Sequence, residues 1–465
     1  MQEIVSGALT FCLAMLGGAA AAGASDAAWA NWRGPLHTGV ASAADPPVRW
    51  SEQENIRFKV RVPGSGLSSP IVWGDAIYLL SAAPADEAAY AASLSEAEAK
   101  QQKQEFPPAV RPVQQRFLVL AYSRKDGSLL WQRVAAERTP HESHHLDASW
   151  ASASPVTDGR ILVAHFGSNG TFAYDLAGKL LWQTDLGDMQ TRNGFGEGSS
   201  PAIHGDRVIV NWDHEGESFI VALDAKSGEV VWKTARPGEA TSWATPLVVE
   251  REGRTQVVVP ATGRSRGYDL ATGKELWSLA GMTVNTIPTP VLRGSVVYLT
   301  SGYRGNMLQA IDLSRAEGPL EDSPAVVWKH ESDTPYVPSP LLYDDSIYFL
   351  KHFKNILSHL DAASGKPVYE PVRIEALHNV YASPVGAAGR IYLFDRDGHA
   401  AVIRHGKQFE VLAENNLDEG VDASPALVGD TIYLRGQQHL YAIAALPPPA
   451  KTAAASTSGP SRPGD

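Results

Sequence analysis

Asp224-Ala-Lys-Ser-Gly228-Glu-Val-Val-Trp232 and Asp269-Leu-Ala-Thr-Gly273-Lys-Glu-Leu-Trp277 carry Asp, Gly and Trp at identical four-residue steps. Asp361, Gly365 and Tyr369 repeat the spacing with tyrosine at its end, and Asp175, Gly178 and Trp182 repeat it one residue shorter. Gly127 and Trp131 keep the Gly-to-Trp step, while Asp312 and Trp328 bracket an insertion. Asp suits a tight turn because its carboxylate accepts backbone N–H groups, and Gly takes a positive φ there at little cost. An aromatic at a fixed depth on the following strand can bury its ring against a neighbouring sheet and satisfy an indole N–H on a nearby carbonyl.

Working outward, a Ser-Pro or Thr-Pro pair recurs at Pro70, Pro155, Pro201, Pro246, Pro290, Pro340, Pro384 and Pro425. The intervals are 85, 46, 45, 44, 50, 44 and 41 residues, against roughly 40–50 for a four-stranded propeller blade. The long first interval is explained by residues 82–115, an Ala-, Glu-, Lys- and Gln-rich excursion expected to be helical and to sit on the rim as solvated decoration. Each proline is followed by an apolar run, a Gly/Asp turn and a second β-branched and aromatic run, as in Ile71–Trp73 and Ala76–Leu80. The reading is an all-β protein, an eight-bladed β-propeller of four-stranded antiparallel blades.

The ring has to close, because an open outer edge leaves a row of unpaired backbone groups. Only three strands follow Pro425, and residues 55–62 form a strand with no blade of its own. They are expected to complete the eighth blade, with Phe58 as its aromatic. Trp131, Trp182, Trp232, Trp277, Trp328, Tyr369 and Phe58 are therefore assigned to blade docking.

The composition, 44% hydrophobic and 20% charged, with mean hydropathy −0.17, describes a chain with ample apolar surface to bury. A net charge of −11 without a dense basic run argues against nucleic acid as a partner. Residues 8–22 are apolar and end in Ala22-Gly23-Ala24, which reads as a signal peptide over 1–24, although Met1–Val5 holds Glu3 and no Lys or Arg. The mature chain, 25–447 as propeller and 448–465 as disordered tail, is thus expected in the periplasm or secreted, without a membrane span and as a monomer. Cys12 is the one cysteine, so the mature chain has no disulfide, thiolate metal site or covalent haem.

The Asp-x-x-x-Gly-x-x-x-Trp steps, with VALDAKSGEVVWK over 221–233 and YDLATGKELW over 268–277, resemble the tryptophan-docking repeats of the quinoprotein alcohol dehydrogenase-like superfamily. With WRGP at Trp32–Pro35 and Trp50-Ser51-Glu52 ahead of the first blade, the chain is similar to bacterial PQQ-like repeat proteins. That resemblance implies the propeller fold, shared by quinone-dependent dehydrogenases and by the non-catalytic propeller lipoprotein of the outer-membrane β-barrel assembly machine. Fold alone does not choose between them. The family's enzymes carry a vicinal disulfide and a calcium or lanthanide site of Glu, Asn and Asp with an Asp base; the cysteine pair is absent here, and no position matches that set. No catalytic residue is assigned.

Residues just ahead of each marker enter one face beside the axis, where propellers bind ligands. Leu67, Trp150, Glu197, Trp243, Asn285, Tyr336, Tyr381 and Asp422 are the candidates there, aromatic with a few polar groups. Blade-to-blade packing is the ordinary alternative for them. His141, His144 and His145, with Asp147, are weak candidates for a metal, since their spacing lets two imidazoles reach one cation, and a merely polar loop is the simpler account. The chain has no phosphate-binding Gly-Lys-Ser/Thr loop, nucleophile elbow or His-Glu-x-x-His helix. The expectation is a non-catalytic binding or scaffold protein of the cell envelope, with an envelope protein or small molecule as partner and no cofactor. The alternatives are a PQQ- and calcium-dependent dehydrogenase of an alcohol or sugar, and a carbohydrate-binding propeller.

Overall fold

Runs such as Leu162–His165 and Phe219–Asp224 are buried almost throughout, whereas Val230–Ala235 and Leu180–Thr184 bury only the aromatic and expose its neighbours. Inner strands are therefore covered on both faces, as in sheets stacked side by side, and outer strands on one. A computed structural model describes residues 28–446 except 252 and 352; the segments expected to be a signal peptide, 1–24, and a tail, 448–465, lie outside the described residues. Its blades form in chain order, each with strands at successive radii: Ile71–Trp73, Ala76–Pro84, Gln115–Ser123 and Leu129–Arg138 make the first. Ala426–Val428, Thr431–Arg435 and His439–Ala444 make the eighth, and Ile56–Arg61 adds its outer strand antiparallel to His439–Ala444. The protein is an eight-bladed propeller closed by its N-terminal strand.

The fourth blade is the exception to four strands. Gly318–Pro319, from the insertion between Asp312 and Trp328, runs parallel to Trp277–Ser278 as a short fifth strand.

The repeat motif has a double purpose. Asp224 Oδ1 accepts the amides of Lys226 and Ser227 at 2.9 Å each, and Gly228 returns its amide to the Asp224 carbonyl at 2.8 Å. Gly228 also has φ +73°, and a Cβ there would lie 2.5 Å from the indole of Trp182 on the preceding blade. Trp131 on Gly178, Trp232 on Gly273, Trp328 on Gly365 and Phe58 on Gly127 repeat this contact. The indoles of Trp131, Trp182, Trp232 and Trp328 donate to the carbonyls of Leu176, Ala225, Leu270 and Ala362. Trp277 differs: it packs between the fourth and fifth blades, but its indole donates to Gln256 Oε1 of its own blade at 2.9 Å, because the fifth blade's turn is lengthened into the added strand. Tyr369 packs edge-on against His359 and Phe409 rather than on a glycine.

The Ser/Thr-Pro markers form a closed circle. The amide of each Ser or Thr donates to the hydroxyl of the next: Ser69 to Ser154, Ser154 to Ser200, Ser200 to Thr245 and Thr245 to Thr289. Thr289 continues to Ser339, Ser339 to Ser383, Ser383 to Ser424, and Ser424 returns to Ser69. A residue that supplies both an amide and a hydroxyl, followed by a proline of fixed φ, is what such a circle requires.

Candidate functional site

The chain ahead of the closing strand crosses the axis. Ala30, Thr38 and Gly39 give carbonyls to Thr157, Leu342 and Gly386, while Trp29 exchanges two hydrogen bonds with Val72. This puts Arg33 inside the propeller, where its guanidinium donates to the carbonyls of Pro340, Pro384 and Thr38. No carboxylate is among these partners, and burial lowers its pKa to about 9. The Trp32 indole donates to the Thr245 hydroxyl at 3.2 Å. Trp32 and the hydroxyl circle together line one end of a cavity of about 450 Å³ on the axis.

Glu197, Trp243, Tyr336, Tyr381 and Asp422 line this cavity, as does Leu67. Trp150 does not: its indole donates to the Glu142 carbonyl, its ring meets His144 and Tyr90, and it lines a side chamber of about 30 Å³ that also borders Glu197 and Trp243. Asn285 stands behind the wall, 2% exposed, and reaches the cavity only by donating to the Tyr336 hydroxyl at 3.3 Å.

Three further groups of lining residues lie outside the marker phase. Tyr303, stacked on Tyr336 with ring centres 4.7 Å apart, and Phe353 follow the second strands of the fifth and sixth blades. Phe106 comes from the excursion, which does hold a helix, Glu87–Gln102, capped by Asp86. That excursion is thus part of the cavity wall. Phe195, His145 and Asp147 complete the mouth.

Two electrostatic arrangements stand out. Arg396 bridges Asp147 at 2.7 Å and Asp422 at 2.6 Å and lies over the Tyr381 ring at 4.3 Å; the Tyr381 hydroxyl donates to Asp147 at 3.2 Å. Burial pushes the Asp422 carboxyl up, and Arg396 opposes the shift. Glu197 accepts the amide of Ser168 at 2.6 Å and its hydroxyl at 2.5 Å. Enclosure of that carboxyl raises its pKa to about 7 despite the two donors. Its seat exists because Gly167, at φ +57°, has no side chain: a Cβ there would coincide with a Glu197 oxygen.

His141, His144 and His145 do not gather around a common centre. His141 bonds the Met189 carbonyl, His144 the carbonyl of His145, and His145 the amide of Asp147. Among the described residues, ligand atoms of three or more His, Asp or Glu side chains come together at His378, Asp395, Asp397 and His399. Sequence reasoning missed this group, for which the run Asp395-x-Asp397-Gly398-His399 was the available signal.

The model of the family described as outer membrane protein assembly factor BamB matches residues 40–194 and 115–370. BamB from Moraxella catarrhalis is similar in structure, with TM-score 0.53 and 16% identity over 83% of this chain and 98% of that one. The computationally designed Ika8 protein is similar at TM-score 0.50 and 12% identity, covering 71% of this chain and 93% of that one. A curated protein, methanol dehydrogenase [cytochrome c] subunit 1 of Methylobacterium organophilum, is 28% identical over 145 residues, 26% of this chain. The match spans 22% of that dehydrogenase subunit's length. No helix among the described residues is long and apolar enough to cross a membrane.

Proposed function

The chain belongs to the family described as outer membrane protein assembly factor BamB, and from that premise we propose that it is a non-catalytic, ligand-binding propeller of the cell envelope, in the periplasm or secreted. The ligand, a small molecule or a segment of an envelope protein, sits in the axial cavity. One observation carries this reading against the quinone enzyme: the lining holds Asp147 and Asp422, with Glu197 ionising near pH 7, and, among the described residues, no Lys or Arg. Pyrroloquinoline quinone is a flat tricycle bearing three carboxylates, and like charges brought together in an enclosed site repel strongly. Arg396 lies behind the wall and is already committed to two aspartates. A calcium ion alongside still leaves the enclosure net negative, so the residues present do not fit the quinone.

The dehydrogenase remains the second reading. It draws on Glu197, a carboxyl poised near neutrality next to Trp243 in the same cavity, and on the partial likeness to the methanol dehydrogenase subunit. Purified protein incubated with the quinone and calcium separates the two. The expected result is no change in the quinone's visible spectrum and no dye reduction with alcohols or sugars. A photo-crosslinker at position 336 is expected to capture a defined species from envelope extracts, and bound quinone with turnover overturns the proposal.

A further inference from the structure

The seventh blade turns from its second strand, Arg390–Phe394, to its third, His399–Arg404, through Asp395-Arg396-Asp397-Gly398. Asp395 is fully buried, and backbone amides hold it in place: Oδ1 accepts from Asp397 at 2.9 Å and His399 at 2.8 Å, and Oδ2 accepts from His378 at 2.9 Å. Two imidazoles turn toward that same Oδ2, His399 Nδ1 at 3.1 Å and His378 Nδ1 at 3.7 Å. Asp397 closes the group, 3.5 Å from His378 Nδ1. One ligand atom from each of the four lies within 4.8 Å of the other three.

We propose that His378, Asp395, Asp397 and His399 bind a divalent transition-metal ion of the zinc class. Two nitrogen and two oxygen donors suit zinc, nickel or copper, whereas calcium and magnesium prefer all-oxygen shells. Bonds of about 2.0–2.2 Å draw tetrahedral ligands to within roughly 3.5 Å of one another, so the group contracts by about an ångström on loading. His378 and Asp397, with side chains 62% and 59% exposed, have room to make that movement, while Asp395 stays fixed as the inner ligand.

The site lies next to the cavity without belonging to it. Arg396, between the two aspartates, carries its guanidinium to Asp147 and Asp422. A bound ion therefore pins the turn that presents this guanidinium to the cavity wall, whatever ligand the cavity takes.

Calorimetric titration of untagged, EDTA-treated protein with Zn²⁺, and the visible absorption of the Co²⁺ form, test the proposal. One ion per chain is expected, with a dissociation constant in the micromolar range or tighter, and no response to Ca²⁺. His378→Ala and His399→Ala are each expected to weaken Zn²⁺ binding at least about 30-fold and to abolish the tetrahedral Co²⁺ bands. Unchanged melting of both variants in EDTA establishes that they fold, and Asp397→Asn supplies a third variant on an exposed position. Absence of binding, or binding that survives either histidine substitution in a folded variant, overturns the proposal.

Discussion

Ser424 donates its amide to the hydroxyl of Ser69 at 2.9 Å, joining the last repeat marker to the first across 355 residues. Both side chains are buried, at 4% exposure. The bond is the eighth in the circle and fastens the same seam that Ile56–Arg61 fastens at the outer edge. Ser69→Ala leaves the Ser424 amide buried without its acceptor and is expected to cost about 1–3 kcal/mol. Ser69→Thr, which keeps the hydroxyl as Thr245 and Thr289 do elsewhere in the circle, is expected to be near neutral. Denaturant midpoints check both, and equal stability of the Ala variant and the wild type removes any structural role from the circle.

A pair of glycines separates backbone conformation from docking. Gly205 and Gly228 both have positive φ, +59° and +73°, but a Cβ meets nothing within 4 Å at Gly205 and meets the Trp182 indole at 2.5 Å at Gly228. Gly205→Ala bears only the left-handed penalty, about 1 kcal/mol. Gly228→Ala also has to displace the indole, so about 3 kcal/mol is expected in total. Matching losses in the two variants, measured by chemical denaturation, contradict the docking account of the motif.

The blades and their closure were legible because their signals are local and repeated. Asp, Gly and Trp at four-residue steps fix a turn and the aromatic after it, and every Pro marker fixes the start of an inner strand. Positions just ahead of a marker inherit that phase, which is why Glu197, Trp243, Tyr336, Tyr381 and Asp422 fall on one cavity. Trp32, Phe106 and Tyr303 come from an axial plug, an excursion and a strand-to-strand loop, where no repeat phase exists. Their convergence depends on how non-repeating chain folds over the ring. The partner of Trp277 was hidden for the same reason, since the insertion ending at Trp328 folds back onto it as Gly318–Pro319. His378 and Asp395 sit on separate loops, and only the closed blade brings them together.

Arg396 links the cavity's two aspartates, and its removal leaves Asp422, with a side chain 8% exposed, facing Asp147 without the cation. Breaking a buried pair by deleting one partner costs about 3–5 kcal/mol, and water entering from the cavity places Arg396→Met at the lower end, about 3 kcal/mol. The double variant Arg396→Met with Asp422→Asn is expected to recover part of that loss, because the amide carries no charge to desolvate. Thermal or denaturant unfolding of the two variants and the wild type reads the coupling, and a double variant no better than the single one counts against it.

Glu197 makes the stability of the fold depend on pH in a direction unusual for a carboxyl. In the folded chain it holds its proton up to about pH 7, against about 4.5 for an ordinary glutamate. Between those values the folded state binds more protons than the unfolded one, so this contribution is complete below about pH 4.5 and is lost as pH rises through 7. The shift corresponds to about 3–4 kcal/mol at most, at about 1.4 kcal/mol per pH unit. Glu197→Gln keeps the shape and an acceptor for the Ser168 amide while removing the titration. The wild type is therefore expected to lose up to about 3 kcal/mol more stability than the variant between pH 5 and pH 8. Denaturant titrations at the two pH values supply the four midpoints required. Parallel losses in both proteins mean that Glu197 ionises in the ordinary range, and with that the case for a poised carboxyl in the cavity, on which the dehydrogenase reading draws, is withdrawn.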